Sequence, residues 1–201
     1  LWIMVTGIII SLLLAILTTV IYSNNLRIKH IALHDQLTKL PNRLQFNERV
    51  TQALAHAQRN QGQVAIAVLD LNKFKPVNDT YGHLAGDYVL EQVANRIRST
   101  LRQEDVVART GGDEFTLLLV EINSMKNISV IARKLTERLL EPFIWKGRQM
   151  NVGVSIGIAL YPTHGENLTE LFHHADIAMY HAKHDPETHW VLASPPSNQP
   201  I

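Results

Sequence analysis

Cysteine is missing altogether from the 201 residues, which excludes disulfides and a thiolate metal site and agrees with a reducing compartment. Net charge is nearly missing too, at +1. The lysines and arginines do not gather with aromatic residues into a basic stripe, which argues against a nucleic-acid-binding face. Internal repeats and low-complexity tracts are also lacking. With 46% hydrophobic residues the chain can bury one well-packed domain and carry an appendage.

The appendage is marked by another absence. Residues 1–22 contain no charged side chain, and their few polar groups, Thr6, Ser11, Thr18 and Thr19, form no regular polar face. As a helix this stretch would span roughly 33 Å, enough to cross a hydrocarbon core, so a transmembrane helix is expected over 1–22 in preference to a buried core helix. A cleaved signal peptide fits less well, because the sequence starts with Leu1 and has no basic leader. Arg27, Lys29 and His30 follow the apolar run and place its C-terminal side in the cytoplasm. A helical linker over 23–34 and a domain over 35–190 are expected next, with a disordered tail over 191–201.

What is present is most informative at Arg109-Thr110-Gly111-Gly112-Asp113-Glu114-Phe115. Two glycines and two carboxylates stand between β-like runs, 105–108 and 115–120, where a hairpin must reverse. Glycine there allows positive φ and the close approach of a ligand, although Gly-Gly-Asp is also ordinary turn chemistry. Asp113 and Glu114 should face opposite ways, with Asp113 the one that faces a site.

The buried-type run 64–69 predicts a strand ending in Asp70. Helical spacing covers Leu44 to Ala57, a polar stretch near 73–78, Val89 to Leu101, Ile128 to Leu139, and 168–182. Strands are expected at 143–145 and 152–160 around a turn at Lys146-Gly147-Arg148. Small residues in the second (Gly153, Ser155, Gly157) permit close packing. Hairpins mixed with crossovers predict an α+β fold, a mainly antiparallel central sheet flanked by helices. Asp70 and Asp113, if their strands are neighbours, would supply hard oxygen ligands with a backbone carbonyl such as that of Leu71, a set suited to Mg²⁺ and a nucleoside triphosphate. For Asp70 alone, a helix cap or a surface position is the plainer alternative.

Several motifs in order carry a resemblance: Asp35-x-Leu37-Thr38-x-Leu40-Pro41-Asn42-Arg43; Asp70-Leu71-Asn72-x-Phe74-Lys75-x-x-Asn78-Asp79-x-Tyr81-Gly82-His83-x-x-Gly86-Asp87; the Gly-Gly-Asp-Glu-Phe loop; Ser155-Ile156-Gly157-Ile158-Ala159; and Ala175-Asp176-x-Ala178-Met179-Tyr180-x-Ala182-Lys183. Over about 35–183 the chain resembles GGDEF-family diguanylate cyclase domains, which condense two GTP into cyclic di-GMP. The resemblance implies a palm-like nucleotidyl cyclase fold and Mg²⁺, with Mn²⁺ as a substitute, held by Asp70, the Leu71 carbonyl and Asp113. Asp113 is also the implied catalytic residue.

For the substrate, the resemblance implies guanine contacts from Asn78 and Asp87, His83 in the pocket, and phosphate contacts from the backbone amides of Phe74 and Lys75. Gly111 and Gly112 form the close loop, and Lys183 binds triphosphate. A carboxylate and an amide suit the guanine edge, and amides at a helix start suit phosphate oxygens. Arg102 and Asp105 have the spacing of an inhibitory cyclic di-GMP site. An ordinary charge pair at a helix end is the alternative there. Because each such domain holds one GTP, catalysis implies a homodimer, tethered at a bacterial inner membrane with the catalytic domain in the cytoplasm. A catalytically weak domain that binds GTP or cyclic di-GMP as a regulatory module is the alternative function.

The chain departs from the family in two places: Asp185-Pro186-Glu187 occupies the region where relatives carry Gly-Arg, which implies a weaker grip on triphosphate. Asn72 is neutral where many relatives carry an acid. His173, His174, His181, His184 and His189 are read as a solvated helix face and its surroundings, not a metal site.

Overall fold

The computed structural model describes residues 7, 14–20, 33–122, 124–185 and 187–195. Most of the expected membrane span lies outside the described residues. Within it, Gly7 and residues 14–20 are helical, and among the described residues no helix is long and apolar enough to cross a membrane.

The domain begins with helix α1 (Arg43–Asn60), started by Asn42, whose side chain accepts hydrogen bonds from the N–H groups of Leu44 and Gln45. Strand β1 (Val64–Asn72) follows, then two consecutive helices, α2 (Phe74–Tyr81) and α3 (His83–Thr100), separated only by Gly82. Gly82 has φ 83°, a conformation glycine adopts at little steric cost. Strands β2 (Val106–Arg109) and β3 (Glu114–Leu119) form the hairpin around the Gly-Gly loop. Helix α4 (Met125–Leu140), strands β4 (Phe143–Trp145), β5 (Arg148–Met150) and β6 (Gly153–Tyr161), helix α5 (Leu168–His184) and strand β7 (Trp190–Leu192) complete the order.

The main sheet has the order β2-β3-β1-β6-β7. All its pairings are antiparallel except β6 with β7. Strand β1 lies at the centre and is buried along eight of its nine positions, as a strand covered on both faces must be. Ala65, Ala67, Leu69 and Leu71 pack on one side with the buried faces of α3 and α4 (Val89, Val93, Ile97, Ile128, Leu135 and Leu139). Val64, Ile66 and Val68 pack on the other with Phe46 and Val50 of α1 and Leu171, Ala175 and Ala178 of α5. The α+β class and the mainly antiparallel sheet are thus as expected.

Three expectations are corrected. The strand at 143–145 does not pair with 152–160. It turns at Lys146 and Gly147, both with positive φ, into β5, and the two form a separate two-stranded sheet. Strand β5 escapes a pattern search because two of its three residues are exposed. Second, Val191 and Leu192, placed in the tail, belong to β7. Third, Leu101 lies just past α3 instead of on its buried face.

Two long-range contacts fix the layers. Arg96 of α3 donates to the carbonyls of Arg138, Glu141 and Pro142, at 3.1, 2.5 and 2.8 Å, and its guanidinium lies 3.9 Å from the Phe143 ring centroid. It thereby satisfies carbonyls at the end of α4 that have no helical partner. On the opposite face, a Cβ on Gly157 would lie 2.0 Å from the Ala175 oxygen and 2.1 Å from the Met179 nitrogen. Helix α5 therefore rests on β6 at a distance that only glycine permits.

Candidate active site

Asp70 sits two residues before the end of β1, not at its last position, and is 8% exposed. Its register partners are Glu114 on β3 and Ser155 on β6, so β1 and β3 are neighbours, the condition on which Asp70 and Asp113 could share a site. The Leu71 N–H donates to the Asp113 carbonyl at 3.3 Å and ties the hairpin loop to the strand.

The loop is held from behind by Arg109. Its Nε and Nη2 donate to the Gly112 carbonyl at 3.1 and 2.7 Å, while Nη1 reaches both oxygens of Asp35 at 3.1 and 3.3 Å. Asp35 also accepts from the backbone N–H and hydroxyl of Thr38. Burial pushes the Asp35 carboxyl up, but the Thr38 and Arg109 contacts outweigh it and hold the group below the ordinary aspartate value.

A lowered folded-state value means that this carboxylate's contribution to stability is complete above the unfolded value near ~4 and is lost as pH falls through the lowered one. The stability difference between the wild type and Asp35→Asn, measured by urea unfolding, should be largest above about pH 5 and should shrink towards pH 2. A difference that stayed constant over that range would contradict the clamp.

Of the two uses expected of the glycines, positive φ is not one the structure shows. Neither Gly111 nor Gly112 has positive φ. A Cβ on Gly111 would lie 2.7 Å from Glu114 Oε2, so this glycine makes room for the glutamate folded over it. A Cβ on Gly112 would meet nothing within 4 Å, which leaves that side of the loop open to a ligand.

Asp113 and Glu114 do part company. Asp113 lines a cavity of about 480 Å³ with Asp70, Leu71, Lys73, Phe74, Lys75 and Lys183, among others. Glu114 lines a different cavity, beside Arg43, Thr116 and Asp176. Among the described residues the Asp113 side chain has neither a hydrogen bond nor an ion pair, whereas Asp70 Oδ1 is paired with Lys183 Nζ at 2.6 Å.

The donor types fit a hard divalent cation: Asp70, Leu71 and Asp113 line one cavity, and carboxylate and backbone carbonyl oxygens are the ligands such an ion takes. Among the described residues no group of three or more His, Cys, Asp or Glu side chains could hold a metal. A cation there would therefore draw its remaining oxygens from water and a bound phosphate, the usual situation for Mg²⁺.

The start of α2 lines the cavity, and the N–H groups of Phe74 and Lys75 at its first two positions have no partner within the helix, the setting in which an anion binds; Pro76, next in line, has no N–H. Asn78, His83 and Asp87 are not among the residues lining this cavity. They stand further along the α2 and α3 pair, with His83 and Asp87 exposed. Asn78 lies one helical turn, about 6 Å, from Phe74. Its Oδ1 occupies the space a Cβ on Gly86 would need, at 1.9 Å, so Gly86 is what lets the amide lie there.

Arg102 and Asp105 line a third cavity together with Arg49 and Arg98. Asp105 is already engaged, accepting from the backbone N–H groups of Arg102 at 3.1 Å and Val120 at 3.2 Å. Burial raises its carboxyl above the ordinary value in spite of those bonds. Glu187 does not line the Asp113 cavity. Its N–H donates to Asp185, which also accepts from the Thr188 hydroxyl.

Three features were not assigned a role from the sequence. Lys73 lines the cavity from a left-handed conformation with φ 62°. Asn72 lines it too, donating to Ser155 Oγ at 2.8 Å. The Asp35 to Arg109 clamp is the third. The position of Lys73 just ahead of a helix that follows an acidic strand end could have marked it, but the clamp joins residues 74 apart and left no local signal.

Comparison with known proteins places the chain in a family. A family described as diguanylate cyclase, GGDEF domain, matches residues 32–189. The chain is 44% identical over 169 residues to the bifunctional diguanylate cyclase/cyclic di-GMP phosphodiesterase MucR of Pseudomonas aeruginosa, covering 84% of this chain and 24% of that protein. It is 43% identical to the diguanylate cyclase TpbB of the same species, covering 79% and 37%. The chain thus spans between about a quarter and somewhat over a third of these relatives' length.

Among solved structures, the TpbB GGDEF domain matches with a TM-score of 0.76 at 41% identity, covering 80% of this chain and 94% of that one. The coiled coil and GGDEF domain of DgcB from Caulobacter crescentus, in complex with c-di-GMP, matches with a TM-score of 0.78 at 27% identity, covering 89% and 95%. With a match over most of its length and the Asp70 and Asp113 cavity in place, this chain belongs to the GGDEF diguanylate cyclase domain family.

Proposed function

We propose that this chain is the catalytic domain of a diguanylate cyclase that joins two GTP into cyclic di-GMP and releases two pyrophosphates. The observation that carries this reading is the convergence of Asp70 and Asp113, from neighbouring strands, on one cavity with the start of α2 and Lys183.

Asp70, the Leu71 carbonyl and Asp113 would hold Mg²⁺ or Mn²⁺. Such an ion acidifies an attacking hydroxyl and offsets charge on the leaving pyrophosphate. The first-turn N–H groups of α2, with Lys73, Lys75 and Lys183, hold the triphosphate. Asn78 and Asp87 take the guanine edge, and His83 stands between them at the start of α3. The 3′-hydroxyl oxygen of one GTP bonds to the α-phosphorus of the other as the bond to pyrophosphate breaks. Asp113 is the group assigned to receive the hydroxyl proton. A second such step closes the ring. One domain holds one GTP, so two copies face each other. The apolar run 1–22 supports tethering of this domain to the cytoplasmic side of an inner membrane.

Incubating a verified dimer with GTP and Mg²⁺ and resolving the nucleotides by chromatography tests the activity; GTP binding without cyclic di-GMP would refute it. That outcome would favour the second reading, a regulatory module. Its supporting observation is Glu187, which brings no cation to the cavity. Arg102 and Asp105 support product inhibition through their shared cavity with Arg49 and Arg98. Arg102→Ala should raise the product concentration needed for half inhibition by about tenfold, the loss of one charge-assisted contact. An unchanged inhibition curve would remove Arg102 from that role.

A further inference from the structure

Of the two carboxylates in the cavity, one is already neutralised by a cation of the chain itself. Lys183 Nζ lies 2.6 Å from Asp70 Oδ1, and the Asp70 side chain is 11% exposed, against 44% for Lys183. Among the described residues Lys183 has no other side-chain partner, and Asp113 has none at all. We propose that Lys183 is a resident counter-ion of Asp70. It opposes binding of a free divalent cation and moves to the phosphates when GTP arrives, so that metal and nucleotide bind together.

The proposal rests on the metal and triphosphate reading above. Three physical points carry it. An ammonium seated on one carboxylate oxygen repels a divalent cation approaching either oxygen of that group, so each weakens the other's hold on Asp70. A nearly buried carboxylate does not remain unpaired at small cost, so Lys183 leaves only when another cation takes its place. Lysine also suits the exchange. It is a point charge on a flexible stem, here in the last turn of α5 and nearly half exposed, whereas a bidentate arginine would stay locked. A bound triphosphate supplies the competing anion that draws the ammonium off, while the cation it brings replaces the lost charge on Asp70.

The test is Mn²⁺ binding followed by electron paramagnetic resonance, on the full chain, with and without a GTP analogue that cannot release pyrophosphate. The variants are Lys183→Met and Lys183→Arg. Without nucleotide, Lys183→Met should bind Mn²⁺ about tenfold more tightly than wild type, and Lys183→Arg should not. Adding the analogue should tighten Mn²⁺ binding in the wild type by a larger factor than in Lys183→Met. A simple phosphate-binding lysine predicts no gain for Lys183→Met without nucleotide, and that result would overturn the proposal. If the wild type binds no Mn²⁺ even with the analogue, the metal reading itself fails and this inference with it. Thermal unfolding with and without Mn²⁺ separates a binding change from misfolding, since a folded Lys183→Met should be stabilised by Mn²⁺ alone more than the wild type is. Equal or smaller stabilisation would count against the proposal.

Discussion

Asp113→Asn should lower the rate of cyclic di-GMP formation by about a hundred- to a thousandfold, the size of effect seen when a group that stabilises transition-state charge is removed. The loss should come without unfolding. Among the described residues the Asp113 side chain makes no hydrogen bond or ion pair, so replacing one carboxylate oxygen by an amide leaves no buried partner orphaned. The thermal midpoint should stay within about a degree or two of the wild type, because an exposed or half-exposed substitution outside a network changes stability by ~0.5 kcal/mol or less. GTP should still bind through α2, Asn78 and Asp87. Turnover retained by a folded Asp113→Asn dimer would contradict both the ligand and the proton-acceptor roles. A large fall in thermal midpoint would show that the side chain supports the loop.

The second large effect concerns the fold. Gly157→Ala should destabilise the domain by on the order of 4 kcal/mol, in the upper range for a single substitution. The added Cβ would meet the Ala175 oxygen at 2.0 Å and the Met179 nitrogen at 2.1 Å, both backbone atoms that cannot rotate away. Helix α5 would have to rise from β6, opening the layer formed by Leu171, Ala175 and Ala178. For a domain of this size the midpoint should drop by roughly 10–15 °C. Gly112→Ala is the control, because its Cβ would meet nothing within 4 Å and its φ is not positive, so its midpoint should hardly move. Equal losses from both would mean that the close approach of α5 to β6 is not what Gly157 provides.

How far the sequence anticipates this molecule depends on whether the signal is local. The central strand was legible because its whole run is apolar, and α3 and α4 because Val89, Val93, Ile97, Ile128, Leu135 and Leu139 repeat at helical spacing. The Asp70 and Asp113 pairing was legible through the residue types of two strand ends, although Asp70 lies deeper in β1 than the pattern indicated. Strands β5 and β7 were not legible. Each is three residues long and takes its place from a partner, across a tight turn in one case and after a whole helix in the other. At the glycine loop one of two expected reasons fails: crowding by the Glu114 side chain selects Gly111 and no left-handed backbone is involved, while the open space at Gly112 agrees with the other. Lysine chemistry in the cavity was only half visible. Sequence assigned Lys183 to phosphate, and the fold adds a carboxylate partner 113 residues away.

Strand β7 has a practical consequence for anyone shortening the chain. Its three residues hydrogen-bond along β6, and the Ala193 N–H reaches the Ile158 carbonyl at 2.7 Å. A fragment cut at His189, where the family match stops, would expose the main-chain edge of β6 to other molecules and free the segment after α5 at its far end. A fragment meant for crystals or for nucleotide assays therefore needs to run through Ala193.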